Sequence, residues 1–252
     1  MLFSGNASEL FSLSESVRKV VMASLSNLSK WLGVYEEWKG VVKRYGLKWS
    51  SGRTEELIIE RMANVQSGGD VLDWVRLVKR RVPKLTVFLD FMVYSGLRLR
   101  EAVNSWNLII QLSREYRLGE YYNDKSEALE HYRFKGLFIR RSKKVFVSFV
   151  PEWLIRKISE QQPLTLYQVN NFVRRDNRLK ARFCDIREHW ATFMTRWLSP
   201  AEIDFLQGRV GASVFMRNYF NPALLGDLKA RVFMGIEAMT QQIEREVKTK
   251  NE

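Results

Sequence analysis

The residues best suited to chemistry are three arginines and a tyrosine, each beside a turn or a helix start. In YSGLRLREAV (94–103), Arg98 follows the turn at Gly96, and Glu101 stands three residues on. That spacing lets the carboxylate orient the guanidinium from the next helical turn. In CDIREHWAT (184–192), Arg187 lies near a helix start, where free backbone N–H groups and its own charge favour an anion. Arg209 follows Gly208 in LQGRV, and Tyr219 comes ten residues later. Singly, each has an ordinary explanation: a surface ion pair, a solvated arginine, a packed ring. Together they fit around one phosphate. A pentavalent phosphoryl transition state spreads charge over its non-bridging oxygens, and fixed guanidinium forks stabilise that charge without a metal. Tyr219 can then attack, a phenol of pKa about 10 made competent by surrounding cations. Lys143 or Lys144 can protonate the leaving hydroxyl.

Helices must hold most of these groups. Val17, Val20, Val21, Ser24, Leu28, Trp31 and Leu32 recur at helical spacing, with Ser14 or Ser16 as cap. A second amphipathic stretch covers residues 35–45. A third begins at Thr54 and runs through Leu57, Ile58, Met62 and Val65. QSGGD (66–70) is the clearest loop and the expected domain boundary. Helical pattern then runs to Pro83, followed by an apolar helix over 85–94 that Gly96 ends. The Tyr-rich stretch 115–126 reads as loop, and LFIRRSKKVFVSFV (137–150) as a β-hairpin with a basic turn. Helices resume at Glu152, Thr165, about Asp185, and Ser199-Pro200, where Ser caps and Pro takes the first turn. From Pro222 to about Val247 the chain reads as one amphipathic helix. Its apolar side could dock on a neighbouring copy or pack in cis. Cys184 and Trp190 are expected to be buried packing.

The chain has 41 basic and 28 acidic residues in 252, a net charge of +13 and a pI near 9.9. Thirteen Lys and Arg lie between His131 and Arg182, against Glu152, Glu160 and Asp176, so +10 of the excess sits in a fifth of the chain. The expected partner is a nucleic acid, through Arg140, Arg141, Arg174, Arg175, Arg178, Lys180 and Arg182. One cysteine excludes a disulfide framework, and two isolated histidines make a metal site unexpected. No phosphate-binding glycine motif occurs, so no nucleotide cofactor and no small-molecule substrate is expected. No apolar run is long enough to cross a bilayer and no secretory signal is visible, which points to the host-cell cytoplasm.

The constellation resembles the tyrosine recombinases, the site-specific DNA integrases. Ser95-Gly96-Leu97-Arg98-Leu99-Arg100-Glu101-Ala102 is similar to their first box, T-G-x-R-x-x-E-L. The stretch from Cys184 to Thr192 matches the second, H-x-L-R-H-x-x-A-T, at Arg187, Ala191 and Thr192. Gln207-Gly208-Arg209 and Tyr219 stand where the family has L-G-H and its nucleophile, and Lys143 or Lys144 where it has a hairpin lysine. Cys184 and Arg209 replace family histidines. His189, one place beyond the family's basic position, is assigned a structural or DNA-backbone role. The ending looks most like archaeal integrases of the fusellovirus type. The resemblance covers about residues 75–235. It implies a mainly α fold with a small antiparallel β-hairpin or sheet. It also implies a DNA-clamping helical domain over 1–69 and a catalytic domain with a C-terminal helix over 70–252. It further implies double-stranded attachment-site DNA as partner, a tetramer on DNA, no cofactor and a 3′-phosphotyrosine intermediate. Cleavage in cis and in trans stay open. Two rivals share features: a type IB-like topoisomerase, which would relax supercoils as a monomer, and a non-catalytic DNA-binding protein of the same fold.

Overall fold

A computed structural model describes residues 1–48, 59, 71–140, 143–175, 179, 182–209 and 226–248. The expected helix over 54–65, apart from Ile59, lies outside the described residues, as do the 66–70 loop, Arg141, Arg178, Lys180 and Tyr219. The chain divides into two compact units, Met1–Gly68 and Gly69–Glu252. The fold is mainly α with one small antiparallel sheet.

In the first unit, α1 (Glu15–Trp31) and α2 (Tyr35–Arg44) pack around Leu10, Met22, Trp38 and Val41. Trp38 Nε1 donates to Ser26 Oγ at 2.7 Å, which gives the buried indole its partner. Most of the apolar stripe read on α1 does not form this core. Val17, Val20, Leu28 and Trp31 are exposed, while Val21, Met22 and Leu25 pack inward beside the buried Ser26 and Ser29. The two small serines let α2 approach closely.

In the second unit, α3 (Val71–Arg81), α4 (Thr86–Ser95) and α5 (Leu99–Arg114) supply most of the core, with Phe88, Leu89, Phe91 and Trp106 fully buried. Lys79 on α3 pairs with Asp90 on α4. Two parts of the sequence reading need correction here. The 115–126 stretch is not plain loop: Tyr121 and Tyr122 are buried, and β1 (Tyr122–Asn123) pairs with β2 (Ala128–Leu129). Tyrosine can enter a core when its hydroxyl finds a partner. Tyr121 has Ser105 at 2.8 Å, and Tyr122 has the Val150 carbonyl at 2.9 Å. Nor is 137–150 a regular hairpin. It opens on the short α6 (Lys135–Phe138), and its described cross-pairing is confined to the bridge Ile139–Lys144 and the flanking bonds from Val145 N–H to Phe138 and from Arg140 N–H to Lys143. Its outgoing end, β3 (Ser148–Phe149), pairs with β2 instead. The buried side chains of Phe138 and Val145 pull the segment into the core.

The later helices begin where their caps sit: α7 (Glu152–Ser159), α8 (Leu166–Arg174), α9 (Phe183–Met194) and α10 (Pro200–Leu206). Thr165 and Ser199 each accept a backbone N–H from the third helical residue and receive its side chain in return. The last helix, α11 (Leu228–Lys248), buries Leu228, Val232, Ile236 and Met239 in the second unit's core, so its stripe packs in cis. Its start is tied to α10. Arg231 reaches Glu202 and the Trp197 carbonyl, and its Nε lies 2.8 Å from Asp227. That pairing holds the Glu202 carboxyl down at about 2.

Candidate active site

Gly96 ends α4 in the left-handed conformation, φ +60°. A Cβ there would lie 2.6 Å from the Trp190 ring, so α9 packs directly on this turn. Two residues on, Arg98 stands at the N-cap of α5. Its backbone N–H donates to Glu101 at 3.3 Å, and its Nη1 donates to Glu101 Oε1 at 2.8 Å. The carboxylate is fully buried, and it fixes a half-buried guanidinium.

Arg187 projects from α9 to the same place. Its Nη1 donates to the Gly96 carbonyl at 2.9 Å and its Nη2 to the Gln207 carbonyl. Gln207 Nε2 returns a bond to the Arg187 carbonyl at 3.0 Å. Next in the chain, Gly208 adopts φ +61°, and a Cβ on it would fall 1.7 Å from the Lys144 carbonyl oxygen. No other residue fits that joint. The same oxygen lies 3.4 Å from Arg98 Nη1. Four segments thus close a circuit: Arg98 to Lys144, Lys144 to Gly208, Gln207 to Arg187, and Arg187 to Gly96.

The circuit is rich in positive charge. Arg98 pairs with the buried carboxylate of Glu101, Arg187 feels the charges of Arg98, Glu101 and Arg209, and Arg209 has Asp204 at 3.9 Å. Arg187 is buried. Its affinity for a proton is pushed down to about 9, first by burial, then by Arg98, with Arg209 adding to it and Glu101 opposing. A guanidinium stays protonated under ordinary conditions, so the shift reflects first the cost of burying its charge and then repulsion from Arg98 and Arg209, both of which an arriving anion would offset.

The other expected residues separate. Lys144 is half-buried and Lys143 exposed, on the turn that Arg140 closes by donating its backbone N–H to the Lys143 carbonyl at 3.0 Å. Arg140 belongs to this cluster as well: its Nη2 donates to Glu101 at 3.3 Å. Arg174 and Arg175 are exposed at the end of α8, and Arg182 pairs with Asp185 at 2.6 Å. Cys184 is exposed, against the expectation of packing; on α9 it faces away from Phe183, Ile186 and Arg187, which turn inward. Trp190 is buried as expected, and its Nε1 donates to the Tyr94 carbonyl at 3.2 Å. His189 stacks on Phe193. Sequence reasoning missed Gln207 and the inward turn of Arg140. The first had a signal, a long polar side chain beside the turn glycine; the second had none. Among the described residues no group of His, Cys, Asp and Glu could hold a metal ion, and no helix is long and apolar enough to cross a membrane.

The family model described as archaeal phage integrase matches residues 63–232. No curated protein and no solved structure matches the chain.

Proposed function

The chain belongs to the archaeal phage integrase family, and from that premise we propose that it is a site-specific DNA recombinase working through a tyrosine–phosphate adduct. The observation that carries the reading is Arg187, a buried guanidinium held by two carbonyls in a circuit with an excess of positive charge. Such a site is built for an anion of several oxygens, and a DNA phosphodiester supplies one.

In this reading Arg98, Arg187 and Arg209 hold the non-bridging oxygens. Tyr219 loses its proton to solvent, and its Oη attacks phosphorus. The bond from phosphorus to the 5′ oxygen breaks, and a lysine gives that oxygen a proton. A 3′-phosphotyrosine and a free 5′-hydroxyl result. We assign the lysine to Lys144, whose peptide sits in the circuit, over the exposed Lys143. The bond energy is kept in the adduct, so a 5′-hydroxyl from a second duplex reverses the step and regenerates Tyr219. Exchange between two duplexes calls for four protomers. The basic residues around Arg174 and Arg175 hold the backbone, which makes binding steeply dependent on salt.

Covalent capture tests this. A labelled duplex carrying the element's attachment site, nicked so that the short fragment bearing the freed 5′-hydroxyl is lost, traps the intermediate. A labelled adduct that disappears in Tyr219→Phe is the expected result. Salt-sensitive binding with no adduct from the unmutated protein sinks the proposal in favour of a DNA-binding role alone.

A further inference from the structure

Arg140 lies in the stretch whose charges read as a DNA-facing surface, yet its guanidinium turns inward. Its Nη2 donates to Glu101 Oε1 at 3.3 Å, the oxygen that also takes Arg98 Nη1 at 2.8 Å. Its Nε is buried and makes no hydrogen bond. Its backbone N–H closes the turn bearing Lys143 and Lys144 at 3.0 Å, and the neighbouring Ile139 pairs with Lys144 across that turn. One side chain therefore ties the lysine turn to the carboxylate that orients Arg98.

We propose that Arg140 is a positioning residue for strand cleavage, acting through Glu101. This rests on the cleavage chemistry proposed above. Among the described residues, the backbone of the lysine turn is closed on itself by the Ile139–Lys144 bridge and by the bonds from Arg140 N–H to Lys143 and from Val145 N–H to Phe138, and none of these reaches Glu101. A buried carboxylate shared by two guanidiniums fixes both, because either one leaving exposes an under-compensated charge in a dry site. Arg140 uses only part of its fork on Glu101, and that contact joins the 3.4 Å approach of Arg98 Nη1 to the Lys144 carbonyl in setting the lysine turn against Arg98 before any DNA arrives. A plain phosphate contact would not need it: a side chain serving the backbone of a duplex gains nothing from a bond to a buried carboxylate.

Single-turnover cleavage of the nicked duplex, at saturating protein, separates the two roles when read beside the salt dependence of binding. Arg140→Gln should slow cleavage about 10- to 100-fold, the scale of a small misplacement at a reacting centre. The slope of log affinity against log salt should stay unchanged. Arg140→Lys keeps the charge and the stem but not the fork; it should bind as the unmutated protein does and still cleave slowly. Glu101→Gln with Arg140→Gln should be no slower than Glu101→Gln alone, because both remove one link. Full-rate cleavage by Arg140→Gln, with a slope shallower by about 1, overturns the proposal and makes Arg140 a phosphate contact. Should Arg140→Gln melt early, Arg140→Lys carries the test alone, and a full cleavage rate there overturns it. An unmutated protein that forms no adduct overturns the cleavage reading itself, an outcome distinct from a fast Arg140 variant.

Discussion

Two buried polar clusters hang on helix α5, one turn apart, and they are built on opposite terms. Glu101 anchors the first, with Arg98, Arg140 and Arg187 around it. Ser105 begins the second. Its hydroxyl lies 2.8 Å from Tyr121 Oη, which lies 2.6 Å from His131 Nδ1, and His131 Nε2 lies 2.9 Å from Ser148 Oγ. Burial pushes the His131 ring down to about 3, so it is neutral, and burial raises Tyr121 well above its usual range. The second cluster carries no charge, and each ring nitrogen of His131 has its partner. The first holds several cations for one carboxylate. A closed neutral network ties β3 and the 131–134 turn to α5 and belongs to stability. An open charged one fits the proposed reading, in which a phosphate completes it.

Substitutions can break that contrast. The largest effect is expected at Arg187. Arg187→Gln should slow cleavage at saturating DNA about a thousandfold. Its melting temperature should stay close to the unmutated value, because the repulsion it relieves offsets the two carbonyl bonds it loses. A deep loss of stability there would make the charged cluster structural too. Next comes Gly208→Ala, which forces a Cβ into the Lys144 carbonyl at a left-handed φ. Denaturant unfolding should show a loss of about 3 kcal/mol, with cleavage slowed in the fraction still folded.

His131→Leu tests the other side. Leaving the Tyr121 and Ser148 hydroxyls short of a partner should cost about 2 kcal/mol of stability, while cleavage per folded molecule is unchanged. A smaller effect appears on titration. The folded-state pKa of His131 is depressed from 6.5 to about 3, so the unfolded chain binds the extra proton in that window. Stability should be complete above 6.5 and fall as pH drops toward 3, by up to about 1.4 kcal/mol per unit. His131→Leu should flatten that slope. Glu202, depressed from 4.5 to about 2, contributes in the same direction only below 4.5, and Glu202→Gln should remove that lower part alone.

Much of the site was legible because short-range rules govern it. Gly96 had to end α4, and Arg98 and Glu101 had to share the first turn of α5. Thr165 and Ser199-Pro200 announced their helices by cap chemistry. What stayed hidden depended on long-range packing. Periodicity found the stripe on α1 but could not say that Ser26 and Ser29 would face the core. The 137–150 stretch has strand composition, yet Ser148–Phe149 chose the distant Ala128–Leu129 as its partner. Arg140 read as a nucleic-acid contact because nothing local reveals a carboxylate 39 positions away in sequence. The neutral cluster was hidden for the same reason: its four members come from four separate stretches.

The clasp between Glu202 and Arg231 has a kinetic consequence. Arg209 leaves the end of α10, and Arg231 is pinned back to the start of that helix, a rod only about 10 Å long. Residues 210–226, with Tyr219 among them, therefore connect two points fixed close together on one short element. In the reading proposed above, in which Tyr219 attacks the phosphate, the effective concentration of its hydroxyl at the arginine cluster depends on how far apart those two anchors sit. Cutting the clasp would then change the rate of attack without touching a group that meets the phosphate.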